Sequence, residues 1–203
     1  MPPATTIDET KQLVVEGGDA KVFFKALLRH MGLGGIQIQN FGGTNELPAF
    51  LKALRDTSGF REKVLSVGIV RDAEANSDSA FQSARGAARG AGWDVPRQPM
   101  MSAGEVPRVT ILILPGAGRP GMLEDLLLEA VDSDPVMRCI DEYFRCVAQS
   151  TEAPPTPMSK ARVHAFLASR QRPHLRVGDA AEAGYWRLDS PAYDHVRDFL
   201  QGL

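Results

Sequence analysis

Acidic side chains recur in this chain where apolar runs end. Glu16 follows "QLVV", Asp72 and Glu74 follow "SVGIV", and Glu124 and Asp125 follow the "PGAGRPG" loop that succeeds "VTILIL". Carboxylates gathered at one edge repel each other, and a cation among them removes the repulsion. An all-oxygen ligand set favours Mg²⁺ or Mn²⁺, as one or two ions, over zinc. A metal held this way can clamp phosphate oxygens and activate a water or hydroxyl. The chemistry open to these residues is therefore metal-dependent phosphoryl transfer.

The elements that must position them are legible as alternating patterns. "KQLVVEG" is a short apolar run that ends at glycine, as a buried strand does. "DAKVFFKALLRHMG" has helical spacing at Val22, Phe23, Ala26, Leu27 and Met31, with Asp19 as an expected N-cap and Gly32 as a stop. "IQIQNFGG" reads as a second strand and a turn, and "ELPAFLKALRDTSGF" as a helix with Pro48 in its first turn. "KVLSVGIVRDAE" and "RVTILILP" are two further apolar strands. The stretch between them holds a glycine-weakened helix, "SDSAFQSARGAARGAG", and an irregular, proline-containing segment with edge-hairpin character. Helices are expected in "MLEDLLLEAV", "DPVMRCIDEYFRCVAQS", "KARVHAFLASRQ" and "SPAYDHVRDFLQGL", with little pattern over 171–190. Four strand–helix alternations imply an α/β fold with a mostly parallel sheet of about four strands, flanked by helices. Ligands of such sheets bind at the carboxyl ends of the strands, which is where the acids fall. The expected organisation is a flexible tail over 1–10, an α/β domain over 11–150 and a C-terminal helical extension over 151–203.

Composition narrows the class. The chain has 203 residues, 43% of them hydrophobic and 24% charged, an ordinary globular balance with room for a substantial core. A formal net charge of −2 argues against a nonspecific polyanion binder but allows a local basic groove. Between Glu152 and Asp179 no acid occurs, while Lys160, Arg162, Arg170, Arg172 and Arg176 do, with His164 and His174. This strip reads equally as a backbone-binding surface for nucleic acid and as a solvated helix face. The "PGAGRPG" loop resembles a phosphate cradle, with Arg119 as its cation, but lacks the Gly-Lys-Ser/Thr of a nucleotide loop. Cys139 and Cys146 have no zinc spacing and are expected to be reduced core residues. No apolar run approaches the ~18 residues of a membrane span, and the polar N-terminus is not a signal peptide, so a cytoplasmic location is expected.

Together, "VVEGGDAKVFF", "GIVRDAE" and "LPGAGRPGMLEDLLLEAV" resemble the TOPRIM domain over about residues 11–145. "GGTNELPAF" and "GMLEDLLL" are most similar to a small stand-alone bacterial TOPRIM-like family of uncharacterised proteins related to the nuclease domain of OLD-family proteins. A looser match continues from "SKARVHAFLAS" to the C-terminal "FLQGL". The resemblance implies a Rossmann-like TOPRIM fold and a metal-dependent nuclease in phage defence or DNA repair. It implies that Glu16 is the strand-end glutamate, a metal ligand or general acid/base, and that Asp72 and Glu74 stand in for a D-x-D pair whose second acid is here Glu. It adds Asp19 as a second early acid, so that this residue is both a helix cap and a metal ligand in prospect. Glu124 and Asp125 become the later acidic motif, and Lys160 the lysine that stabilises charge on the scissile phosphate. OLD proteins carry an ABC-type ATPase on the same chain, and this chain shows no Walker A motif, so a separate ATPase partner is implied. Candidate partners are then nucleic acid, DNA ahead of RNA, such an ATPase, and a second copy of the chain. A membrane is not among them. Two other readings stand beside an active nuclease: a conditionally active subunit, and a different α/β ligand-binding domain whose acids are coincidental.

Overall fold

Period-two apolar strands flanked by amphipathic helices bury both faces of a sheet, and that is the architecture observed. The computed structural model describes residues 6–203. β1 (Lys11–Val15) leads to α1 (Gly17–His30), β2 (Ile36–Asn40), a 3₁₀ turn (Thr44–Glu46), α2 (Leu47–Arg55) and α3 (Phe60–Lys63). β3 (Ser66–Asp72), α4 (Ser77–Gly90), β4 (Ser102–Ala103) and β5 (Arg108–Leu114) follow. The chain closes with α5 (Leu123–Ala130), α6 (Val136–Ser150), α7 (Met158–Ala168), α8 (Val177–Glu182), a 3₁₀ turn (Pro191–Tyr193) and α9 (Asp194–Gln201).

The sheet has five strands in the order β2-β1-β3-β5-β4. All neighbours are parallel except β4, a two-residue antiparallel edge strand inside the segment read as edge hairpin. Chain order reverses between β1 and β3, which makes their shared C-terminal end the topological switch point, where open α/β sheets bind ligands. Val14 pairs with Ile69, so Glu16 and Asp72 leave neighbouring strands at nearly the same level.

Alternation along the strands divides the core in two. Leu13, Val15, Val70, Leu112 and Leu114 face α1, α5, α7, α8 and α9. Val14, Val67, Ile69, Val109, Ile111 and Ile113 face α2 and α4. Asp72 has the parity of Val70 and therefore emerges on the α1–α5 side. Gly68 lets the C-terminal helix lie on the sheet, since an added Cβ would come 2.7 Å from Leu203 and 2.8 Å from Phe199.

Several expectations are corrected. The N-cap position of α1 belongs to Glu16, and Asp19 lies within the first turn, because Gly17 turns the chain at φ +82° and the helix begins there. Within 171–190 sits α8, six residues long and too short to carry a periodic signal. Cys139 and Cys146 are free and exposed, because α6 buries Met137, Ile140 and Phe144 along a different stripe. Residues 1–5 of the expected tail lie outside the described residues. From Ile7 onward the chain is anchored: Ile7 is buried, and Gln37 accepts from the backbone N–H of Asp8 at 2.9 Å. Trp93 and Trp186 are buried packing residues, stacked on Phe60 and Phe166.

Candidate functional site

A cleft of about 260 Å³ opens at the switch point, lined by Glu16, Asp19, Asp72, Glu74, Glu124 and Lys160 with the backbone of Gly17 and Gly18. The sheet edge, the first turn of α1 and α5 supply the carboxylates, and α7 supplies the lysine. Six of the expected site residues thus meet in one place, although Lys160 is 144 positions beyond Glu16 in the sequence.

Each central acid has one oxygen held and the other left over. Glu16 Oε1 accepts from the Thr44 hydroxyl at 2.6 Å, while its Oε2 is buried without a hydrogen-bond partner among the described residues. Asp72 Oδ1 accepts from the Leu123 backbone N–H at 3.0 Å, at the start of α5. Burial, and then the nearby Glu16 and Glu124 carboxylates, push the Asp72 carboxyl up to about 7, against the pull of the Leu123 N–H and of Lys160. Glu124 Oε1 accepts from Lys160 Nζ at 2.7 Å, and its side chain is only 13% exposed. Burial works against the charge on Lys160, but this hydrogen bond and the fields of Glu124, Asp72 and Asp19 outweigh it and hold the ammonium above its usual range.

The remaining expected ligands behave differently. Asp19 accepts weakly from Gly178 N at 3.3 Å and faces Arg176 at 3.6 Å. Glu74 contributes chiefly its backbone, which exchanges two 2.7 Å hydrogen bonds with Gly121 and takes the strained left-handed φ of +51°. That bridge ties the loop after β3 to the loop before α5. Asp125 does not line the cleft. Its carboxylate accepts from Met122 N at 2.8 Å, closing the first turn of α5, where an acid also favours the helix dipole.

The expected nucleic-acid contacts are mostly engaged within the chain. Arg119 pairs with Glu129, Arg162 with Asp141, and Arg170 with Asp134 while lying over the Phe166 ring. Among the described residues, Arg172 alone of the five expected contacts has no ion pair. Thr44 was not anticipated. The available signal is its place: a hydroxyl residue just after the Gly42-Gly43 turn that follows β2, the strand next to β1, and so at the same sheet edge.

The donor set can be tested against the implied cation. The polar side chains that line the cleft all offer oxygen except Lys160, one buried carboxylate oxygen has no partner among the described residues, and burial and two like charges destabilise Asp72 as a carboxylate. In kind, these residues fit a hard divalent cation. Among the described residues, no three His, Cys, Asp or Glu side chains are already gathered to hold an ion, and Glu124 is turned to Lys160.

The sequence profile of a family described as "Protein of unknown function (DUF3226)" matches residues 10–203. The chain belongs to the DUF3226 family. No curated protein matches this DUF3226 chain. A solved structure, the C-terminal region of the Xanthomonas campestris pv. campestris OLD protein phased with mercury, aligns with it at 14% identity and a TM-score of 0.41. The alignment covers 97% of this DUF3226 chain and 87% of that one. Among the described residues, no helix is long and apolar enough to cross a membrane.

Proposed function

We propose that this chain hydrolyses phosphodiester bonds of nucleic acid, DNA ahead of RNA, with Mg²⁺ or Mn²⁺ held in the switch-point cleft. The observation that carries this reading is the meeting of Glu16, Asp72 and Glu124 in a cleft with a buried, unpartnered carboxylate oxygen and a single lysine. Glu16 and Asp72 would hold the ion, with Glu124 able to join them once it leaves Lys160. When bound, the ion supplies charge neutralisation at the phosphate and activation of the attacking water. The chain's own residues do the rest. Asp72 gives up its proton to become a ligand. Lys160, freed from Glu124, stabilises negative charge on the scissile phosphate. Gly17 and Gly18 leave the floor of the cleft without side chains, so a phosphate can approach the backbone.

The test is incubation with supercoiled plasmid and Mg²⁺ or Mn²⁺. Nicking by the wild-type protein is expected to fall at least about a hundredfold in Asp72→Ala, because losing this ligand removes the charge stabilisation that the ion supplies. Nicking that survives in Asp72→Ala would remove the assignment.

The internal pairing of Lys160, Arg162 and Arg170 favours a second reading. Here the chain alone is quiescent, and a separate ABC-type ATPase partner, in phage defence or DNA repair, frees these cations. In that case the plasmid assay is silent until the partner is added.

A further inference from the structure

Among the described residues, the Glu16 carboxylate takes one hydrogen bond, from Thr44. Glu16 stands at the corner between β1 and α1, and three hydrogen bonds tie this corner to residues 41–44. Phe41 N donates to Val15 O at 3.1 Å, and Gly17 N donates to Gly42 O at 3.1 Å. Thr44 Oγ1 donates to Glu16 Oε1 at 2.6 Å. The first two bonds continue the β1–β2 ladder past the strand end and set the height of Glu16 above the sheet. The third sets the rotation of its carboxylate.

The turn that carries Thr44 is itself built. Asn40 Oδ1 accepts from Gly42 N at 2.9 Å, and Gly43 O accepts from Glu46 N at 2.9 Å. Gly42 adopts φ +87°, and the Glu46 carboxylate occupies the space where a Cβ would be. Thr44 opens the following 3₁₀ turn. As a β-branched residue it has few side-chain rotamers, so its hydroxyl is held where the turn puts it.

We propose that Thr44 is the positioning residue of the cleft: by donating to Glu16 Oε1 it turns Oε2, buried and unpartnered, into the oxygen offered to a cation shared with Asp72. This rests on the reading of the cleft as a divalent-cation site. Thr44 touches neither cation nor substrate. A hydroxyl that spends its proton on Oε1 keeps the carboxylate from rotating, and it leaves Oε2 as the oxygen whose hydrogen-bonding capacity is unused. Without the donor, both oxygens lack a partner and the carboxylate is free to turn away from Asp72.

The experiment is Mn²⁺ titration, read by the electron-spin-resonance signal of free Mn²⁺, on wild type, Thr44→Val, Thr44→Ser and Asp72→Asn. Circular dichroism and thermal melting confirm that each variant is folded. Should the added methyl in Thr44→Val prevent folding, Thr44→Ala removes the same hydroxyl without added bulk. Loss of the hydroxyl is expected to weaken Mn²⁺ binding at least about tenfold, the usual cost of removing a partner that orients a metal ligand. Thr44→Ser is expected to restore affinity to within about threefold of wild type, because the donor is back. Unchanged affinity in the hydroxyl-free variant overturns the role of Thr44 while leaving the cleft assignment intact. A serine variant as weak as the valine variant also overturns it, since methyl packing would then be what matters. If the wild type binds no Mn²⁺, or Asp72→Asn binds it equally well, the cleft reading itself falls and takes this one with it.

Discussion

With its carboxyl pushed up to about 7, Asp72 keeps a proton in the folded chain at pH values where the unfolded chain has lost it. The folded state therefore binds more protons between about pH 4 and pH 7, and stability must fall as pH rises through that window. Without divalent cation, the expected loss is on the order of a few kcal/mol, levelling off above about pH 7. Asp72→Asn should flatten the slope and make the cation-free protein more stable than wild type at pH 8, as urea unfolding at several pH values would read. An unchanged slope in Asp72→Asn would show that the carboxyl is not held up by its surroundings. The same proton competes with a metal, so Mn²⁺ affinity is expected to rise with pH up to about 7 and then level off. Asp72 was legible in the sequence as an acid at the end of an apolar strand. Its link to Glu124 was not, because that depends on where α5 starts relative to β3. Asp125, adjacent in sequence and identical in charge, is spent on its own helix turn.

Among the elements, helix α8 packs against α1, which carries Asp19 into the cleft, and does so through Gly178. An added Cβ there would sit 2.6 Å from Val22 Cβ and 2.8 Å from the Asp19 backbone oxygen, so α8 must move off α1. Gly178→Ala is expected to destabilise by about 1–3 kcal/mol, the cost of overpacking a closed contact. Gly86, exposed in the middle of α4 with open space around it, gives the opposite sign: Gly86→Ala is expected to stabilise by about 1 kcal/mol. Denaturant midpoints of the two variants against wild type check both, and a stable Gly178→Ala would mean that the α1–α8 contact is loose. The long helices and the apolar strands were readable because periodicity accumulates over their length. The two-residue β4 was readable only as the edge-hairpin character of its segment, and six-residue α8 was not readable as an element, because so few residues establish no period and tertiary contacts decide their shape.

Over the whole molecule, the sheet edge, α1 and α5 contribute the acids of the cleft, and α7 contributes the lysine that faces them. The basic strip at 160–176 was visible as composition, but composition could not reveal that Glu124, Asp141, Asp134 and Asp19 would lie opposite its members. With those cations engaged, the chain alone should neutralise few phosphates. Its binding to duplex DNA without divalent cation is expected to have a shallow salt dependence, with a log–log slope no steeper than about −2. A slope several units steeper, measured by fluorescence anisotropy, would mean that the ion pairs open on DNA without help. The central claim remains that Glu16 and Asp72 share a divalent cation at the switch point. A crystal soaked in Mn²⁺ tests it most directly through the anomalous difference map. The expected result is a peak between the two carboxylates that disappears in Asp72→Asn. A map with no peak in the cleft, or a peak that persists in Asp72→Asn, would contradict it.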